Sequence, residues 1–509
     1  MKPVVPKFAL YSLLACGLFG CANGVTTVPQ AALSADAHGD SARLDPPSGS
    51  GASEVIAAPR TGSEAGGGKV IVAAEDGSAA SSWLGAAAAS QFVLAGGASQ
   101  TLGVWIDVPK LAHAAHVPTA VALVVDTSGS MAGDKIGRAR EAARTLIEKL
   151  SDGDVVSVVA FSDHARDLVA PTRLDARTRA MILGTIGELQ ADGATNLFDG
   201  LARAETLARM APASHLVRRV VLISDGRATA GTIDTQAIAS LAESGVAHGA
   251  QVTALGVGLD YDENALNALA VRSSGRLFHL GDPAELGGIV SSELALLQST
   301  MATSAEVEIV PAPGVRIEGV SGALRGAWGQ NGALRVKLGT MFGGQHREVV
   351  VRYRLTDGAV EGTRALATAR LVFSDVLDGG VQRSQEVIVR GSLTQNAGLV
   401  AEHRDPTVQA MLANEATFAL ASAAREQIAG GRFDEADAQL ASAESQLREA
   451  ASKAKGEGER RRVLWQAERV AGTRAAAAKA AAAPAAMRPS AGRAASLMAN
   501  DTSMDAAGF

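Results

Sequence analysis

Val121-Ala122-Leu123-Val124-Val125-Asp126-Thr127-Ser128-Gly129-Ser130 is the stretch whose reading decides the fold. Its mostly β-branched apolar run predicts a buried strand, and the chain then changes character abruptly. Asp126, Ser128 and Ser130 put one carboxylate and two hydroxyls on a short loop with a glycine inside it. Ile136, Ala139, Ala143, Leu146, Ile147 and Leu150 follow at helical spacing. A strand that ends in hard oxygen donors just before a helix belongs at the carboxyl edge of an α/β sheet, where ligands bind.

Two further stretches extend the constellation. Gly193-Ala194-Thr195-Asn196-Leu197 offers a hydroxyl on a loop before a second amphipathic helix, and Val220-Val221-Leu222-Ile223-Ser224-Asp225-Gly226 is another apolar strand ending in a carboxylate. The order Asp-x-Ser-x-Ser, then Thr, then Asp resembles the metal-ion-dependent adhesion site of von Willebrand factor A domains. Asp126, Ser128, Ser130, Thr195 and Asp225 fill its five positions without substitution. The resemblance implies Ser128, Ser130 and Thr195 as direct ligands of a cation, with Asp126 and Asp225 binding directly or through water.

Chemistry points the same way. Carboxylate and hydroxyl oxygens without imidazole or thiolate suit a small hard cation, magnesium first, with manganese or calcium as alternatives. Two carboxylates roughly cancel a divalent charge, and three neutral hydroxyls leave the ion electrophilic enough to take a partner's carboxylate. Competing readings are weaker. A lone Asp-x-Ser-x-Ser is often a turn or helix cap. A phosphoryl-transfer loop would need a second carboxylate where Ser128 stands, and no G-x-S-x-G elbow surrounds Ser128 or Ser130.

Working outward, residues 118–301 alternate strands and helices, which predicts a doubly wound, mostly parallel α/β sheet. Residues 302–395 change period to short strands separated by Gly, Asn and Asp turns, the spacing of a β-sandwich. Strand-like patterns at 69–117 lack a sheet of their own, so they are expected to join that later sandwich with the α/β domain inserted between. Residues 405–474 read as a helical hairpin broken at Gly430-Gly431, and the Ala, Arg and Pro bias of 475–509 predicts a disordered tail.

At the other end, residues 1–21 read as a lipoprotein signal peptide, with Lys2 and Lys7 before an apolar run too short to span a bilayer. Leu18-Phe19-Gly20-Cys21 resembles a bacterial lipobox, which implies lipidation of Cys21; Leu13-Leu14-Ala15-Cys16 is the rival match. The protein's two cysteines are these, so no disulfide framework is expected. Ala22 after the anchor, by resemblance to Gram-negative sorting signals, favours the outer membrane. Residues 22–68, rich in Ala, Gly, Ser, Asp and Pro, read as a flexible tether.

Composition excludes some functions. A net charge of −6 gives no footprint for nucleic acid. No histidine belongs to an H-E-x-x-H zinc motif, and His113 and His116 read as surface residues. Asp199 reads as a support for the cation's ligands or a cap of the following helix, and Asp260, Asp262 and Glu263 as a solvated helix start rather than a calcium loop. Trp83 and Trp328 read as sandwich core, and Arg460-Arg461-Arg462 as a solvated face, with anionic lipid headgroups as the alternative contact. The expectation is a non-enzymatic, lipid-anchored envelope protein that binds an acidic group of a partner protein through a divalent cation. Alternatives are a magnesium-assisted hydrolase and a regulatory subunit that meets its partners through the C-terminal region.

Overall fold

The computed structural model describes residues 70–71, 82–110, 116–246, 248–258, 261–280, 283–322 and 324–508. The signal peptide, both cysteines, the tether, His113 and Asp260 lie outside them. Four strands come first: β1 (Val70–Ile71), β2 (Leu84–Ala88), β3 (Phe92–Leu94) and β4 (Gln100–Asp107). The α/β domain follows as β5 (Thr119–Asp126), α1 (Asp134–Lys149), β6 (Val155–Phe161), β7 (Ala165–Arg173), α2 (Ala176–Gly187), α3 (Leu197–Met210), β8 (Val217–Ser224), α4 (Thr235–Val246), β9 (Ala250–Val257), α5 (Glu263–Arg272), β10 (Arg276–Leu280) and α6 (Pro283–Gln298).

Its six strands run in the order β10-β9-β8-β5-β6-β7, parallel except for the antiparallel pair β6/β7. Every residue of β5, β6 and β9 is buried, because helices cover both faces of the sheet. Helices α1, α2 and α6 pack on one face through Ile136, Leu146, Ile182 and Val290. Helices α3, α4 and α5 cover the other through Leu201, Ile238 and Leu266. The edge strand β7 is missing from the sequence reading, since its largely exposed face carries too few apolar residues to signal a strand.

Helix α3 buries a carboxylate. Glu205 is 2% exposed, and neither of its oxygens finds a donor among the described residues. Ser244 beside it gives its hydroxyl proton to the Leu241 carbonyl. Burial, opposed by the charge of Arg209, pushes the Glu205 carboxyl up to about 7. The folded chain therefore holds a proton that the unfolded chain releases near the ordinary glutamate value. Stability is full in mild acid and falls as pH rises toward 7, by about 3 kcal/mol in all. Glu205→Gln should flatten that stretch of a urea-unfolding pH profile; an unchanged slope would show that Glu205 is solvated.

After α6 come β11 (Thr300–Pro311), β12 (Val315–Val320), β13 (Gly326–Trp328), β14 (Leu334–Phe342), β15 (His346–Leu355), β16 (Gly362–Asp375) and β17 (Val381–Thr394). One seven-stranded sheet runs β1-β17-β16-β11-β14-β13 with β3 beside β17; the other runs β12-β15-β4-β2. The early strands thus complete the later sandwich, and the α/β domain is inserted between β4 and β11. Gln385 on β17 secures the start of β2 by accepting from Trp83 N at 2.8 Å and Leu84 N at 3.2 Å. Trp83 stacks on Phe373 at 4.5 Å within the core, as expected. Trp328 does not: it is 57% exposed on the short edge strand β13, which places only one of the two tryptophans inside.

The C-terminal part is α7 (Ala397–Glu402), α8 (Pro406–Ala429), α9 (Phe433–Lys453), α10 (Glu457–Ala482) and α11 (Arg488–Ala506). Asp405 caps α8 by accepting from Val408 N, with Pro406 at the first helical position. Gly431 turns the chain into α9 at φ +73°, a conformation that favours glycine. Helix α8 docks on the sandwich where Gly103 of β4 leaves room; a Cβ there would lie 2.7 Å from Met411 Sδ.

The disordered tail expected at 475–509 is a correction. Residues 457–482 form a single helix, and α11 packs back against α8 and α10. Ala477, Ala480, Ala495 and Ala499 are buried between them, and Thr473 and Thr502 share a hydroxyl hydrogen bond of 2.7 Å. Close approach of small side chains, which composition reads as low complexity, is what orders this segment. Among the described residues, no helix is long and apolar enough to cross a membrane.

Candidate functional site

The loop after β5 is shaped by its own carboxylate. Asp126, wholly buried, accepts from Ser128 N at 2.9 Å through one oxygen and from Ser224 Oγ at 2.5 Å through the other. Ser224 closes onto Gly226 N at 2.8 Å, so the ends of β5 and β8 are tied together. Ser128 Oγ lies 3.0 Å from Ser130 Oγ. Ser128 is buried and Ser130 exposed, which puts this pair of hydroxyls at the surface of the sheet edge.

The threonine loop reaches the same edge. Gly129 N donates to Gly193 O at 2.9 Å, and Asp192 N donates to Thr127 O at 2.8 Å. Thr195 N donates to Thr229 Oγ1 at 2.9 Å, while Thr195 O accepts from Thr229 N and Ala230 N. Those partners sit in the loop that follows Asp225. The three loops carrying Asp126, Ser128, Ser130, Thr195 and Asp225 are therefore joined directly to one another at the carboxyl edge of β5 and β8. Asp199 stands apart, accepting from Ala165 N at 2.7 Å at the start of β7.

The charge balance of this edge is uneven. Burial holds the Asp126 carboxyl above its ordinary range despite hydrogen bonds from Ser128 and Ser224, and the neighbouring Asp225 pushes it further. Asp225 is 1% exposed; its Oδ2 takes Lys135 Nζ at 3.0 Å, and its Oδ1 has no donor among the described residues. An orphaned buried carboxylate oxygen beside a second buried carboxylate and three hydroxyls fits a hard divalent cation. Among the described residues no group of three or more His, Cys, Asp and Glu side chains is placed to hold a metal, so the hydroxyls of Ser128, Ser130 and Thr195 would have to supply most of the donors here.

A support that the sequence reading missed lies behind Asp225. Asp225 O accepts from Asp262 N at 2.7 Å, and Asp262 caps α5 through Ala265 N. Glu263, expected on a solvated helix start, is 5% exposed instead. Arg493 of α11 donates to it at 3.0 Å and Arg425 of α8 lies at 3.6 Å. Burial raises the Glu263 carboxyl, and the two guanidinium groups oppose that. Arg493 also donates to Tyr261 O at 3.2 Å and lies over the Tyr261 ring. No local pattern announces this, because the arginines come from more than 150 residues downstream.

Residues 120–292 match the von Willebrand factor type A domain family. The chain carries such a domain, a general protein-interaction and adhesion module whose relatives are mostly non-enzymatic. Inter-alpha-trypsin inhibitor heavy chain H2 of Mesocricetus auratus is 30% identical over 170 residues, which cover 31% of this chain and 17% of that protein. An uncharacterised protein of Synechocystis is 30% identical over 173 residues, covering 34% of this chain and 40% of its own. The chain thus spans less than half the length of these curated relatives. Among solved structures, the von Willebrand factor type A protein from Catenulispora acidiphila aligns over 83% of this chain and 96% of its own, with a TM-score of 0.65 at 19% identity. The ArnB paralog VWA2 from Sulfolobus acidocaldarius aligns over 84% and 99%, with a TM-score of 0.53 at 15% identity. At such identities the likeness is one of fold, and it extends beyond the inserted domain.

Proposed function

We propose that this chain is a non-enzymatic binding protein of the bacterial envelope, anchored by lipid at Cys21, that captures a carboxylate of a partner protein at the edge of its A domain. Ser128, Ser130 and Thr195 would hold a divalent cation directly, with Asp126 and Asp225 directly or through water. Magnesium is the cation we favour, with manganese or calcium as substitutes. The cation would supply Lewis acidity and a coordination position that a carboxylate oxygen can take.

The chain's own residues do the rest. Asp126 pins the Ser128 backbone and the end of β8, so the serine hydroxyls keep their positions without a ligand. The Thr195 backbone is tied to the loop after Asp225 through Thr229 and Ala230. The observation that carries the reading is Asp225 Oδ1, buried and without a donor among the described residues. The lipobox-like Leu18-Phe19-Gly20-Cys21 supports the anchor.

The test is a magnesium titration of the full chain by calorimetry, with Asp126→Ala and a chelator alongside. A saturable, chelator-sensitive heat that Asp126→Ala lacks, and partner capture that Thr195→Ala loses, are expected. A capture indifferent to both chelator and Thr195→Ala would overturn the metal reading and favour contact through the C-terminal helices.

A further inference from the structure

A cavity of about 400 Å³ lies where the sandwich meets the C-terminal helices, away from the A-domain edge. Thr407, Ala410 and Asn414 form one stripe of α8 along it, and Glu459, Val463 and Gln466 form the matching stripe of α10. His346 and Glu348, two residues apart on β15, close one side, and the half-exposed Trp465 lines the cavity as well. The volume is that of a small-ligand site rather than a packing defect.

The hydrogen bonds around it leave a specific deficit. His346 spends both ring nitrogens, on Asp107 at 2.7 Å and Glu348 at 2.9 Å. Burial works against the imidazolium, but those two carboxylates outweigh it and hold His346 up at about 9, so it is charged at neutral pH. Asn414 Nδ2 donates to both oxygens of Glu348, at 3.2 and 3.1 Å. Turning that amide over would set its carbonyl against the carboxylate, so its orientation is fixed. Asn414 Oδ1 is then left screened from water with no donor among the described residues.

Glu459 repeats the pattern with a charge. Its Oε2 has a long contact of 3.4 Å with Thr407 Oγ1, and its Oε1 is buried with no donor among the described residues. The arginines of the lining do not correct this. Arg461 is turned to Glu457 at 3.9 Å, and Arg462 lies 3.8 Å from Asp107. Asp505, the third carboxylate of the lining, is paired with Arg469 at 2.8 Å, so the acceptors left without a donor are Glu459 Oε1 and Asn414 Oδ1, between walls of Ala410, Val463 and an indole ring.

We propose that this cavity is a binding site for an organic cation: a primary amine or guanidinium on a short alkyl stem. The cationic head donates to Glu459 Oε1 and Asn414 Oδ1, the stem lies along the apolar walls, and the Trp465 ring, over which Arg469 already lies, adds apolar contact. The same chemistry can come from a free diamine or from a basic side chain of a partner. The site is independent of the cation edge of the A domain, and so is its test.

The full chain is titrated by calorimetry and tryptophan fluorescence with 1,5-diaminopentane, agmatine and N-acetyl-lysine amide, with 1-pentanol and glutarate as neutral and anionic controls. Saturable binding of a cation, with neither control binding, is expected. Glu459→Gln should weaken it about tenfold to a hundredfold. Asn414→Leu, which removes the second acceptor, should weaken it about tenfold, and an unchanged unfolding midpoint for either variant excludes loss of the fold. Binding of both free diamine and lysine amide marks a small-molecule site, and binding of lysine amide alone a pocket for a partner's basic residue. Equal binding of pentanol, or no response to any cation at millimolar concentration, would overturn the proposal.

Discussion

Asp225→Ala is expected to abolish magnesium binding, by at least about a hundredfold, while Lys135→Met is expected to tighten it about tenfold. The two side chains form one pair, with Lys135 Nζ 3.0 Å from Asp225 Oδ2. In the absence of a divalent ion, that ammonium is the countercharge nearest the buried carboxylate. A divalent and a monovalent cation about 5 Å apart repel by roughly 7 kcal/mol at an effective dielectric near 20. Lys135 would relieve most of this by swinging outward, since its side chain is already 26% exposed. Moving it still costs the existing ion pair, and that cost disappears in Lys135→Met.

The metal-free proteins should behave in the opposite sense, which separates binding from folding. Lys135→Met leaves a buried carboxylate without its partner and should lose about 1–3 kcal/mol of stability before magnesium is added. Asp225→Ala removes that carboxylate and frees the lysine to solvent, so its metal-free unfolding midpoint should hold. Calorimetry and thermal unfolding, each with and without magnesium, read both quantities. Tighter binding by Asp225→Ala, or unchanged affinity in Lys135→Met, would refute this account of the edge.

The second large effect concerns the fold. Glu293→Ala should cost about 3–5 kcal/mol, read as a lower urea midpoint at constant slope. Glu293 of α6 is 4% exposed and Arg219 of β8 is 1% exposed. Arg219 Nε lies 3.3 Å from Glu293 Oε1, and Thr253 Oγ1 donates to that same oxygen at 2.5 Å. Arg219 also donates to Gln251 Oε1 at 2.8 Å and sits over the Phe342 ring of the sandwich. Burial already lowers its hold on the proton, with Glu293 opposing. Without Glu293 a full charge is stranded between the two domains. Arg219→Met combined with Glu293→Leu should recover most of the loss, because both charges then leave together. A loss below about 1 kcal/mol for Glu293→Ala would mean that water reaches Arg219.

Much of this was readable from residues in order. The apolar runs at 120–125 and 220–223 had to be central strands, because only a sheet covered on both faces buries such runs throughout. Strand direction placed Asp126, Ser128, Ser130 and Asp225 at one sheet edge, whereas Thr195, on a loop between α2 and α3, was joined to them by the family resemblance. The completion of the sandwich by early strands was legible from their lack of any other sheet. Missed elements share a cause. The polar face of β7 gave no apolar alternation, Trp328 fell on a three-residue edge strand that covers nothing, and the alanine-rich C-terminal segment had no contrast between faces.

By itself, then, the sequence determined the inserted A domain and the order of its helices and of every strand but β7, and it named the candidate donors at its edge, because these depend on periodicity and on short loops. Tertiary structure alone decided what lies around that edge. Lys135 on Asp225, Arg425 and Arg493 on Glu263, and the acceptor-lined cavity between β15, α8 and α10 are made by residues far apart in the chain. Burial removes water from their charges, and which partner replaces that water is set by packing rather than by neighbours in sequence.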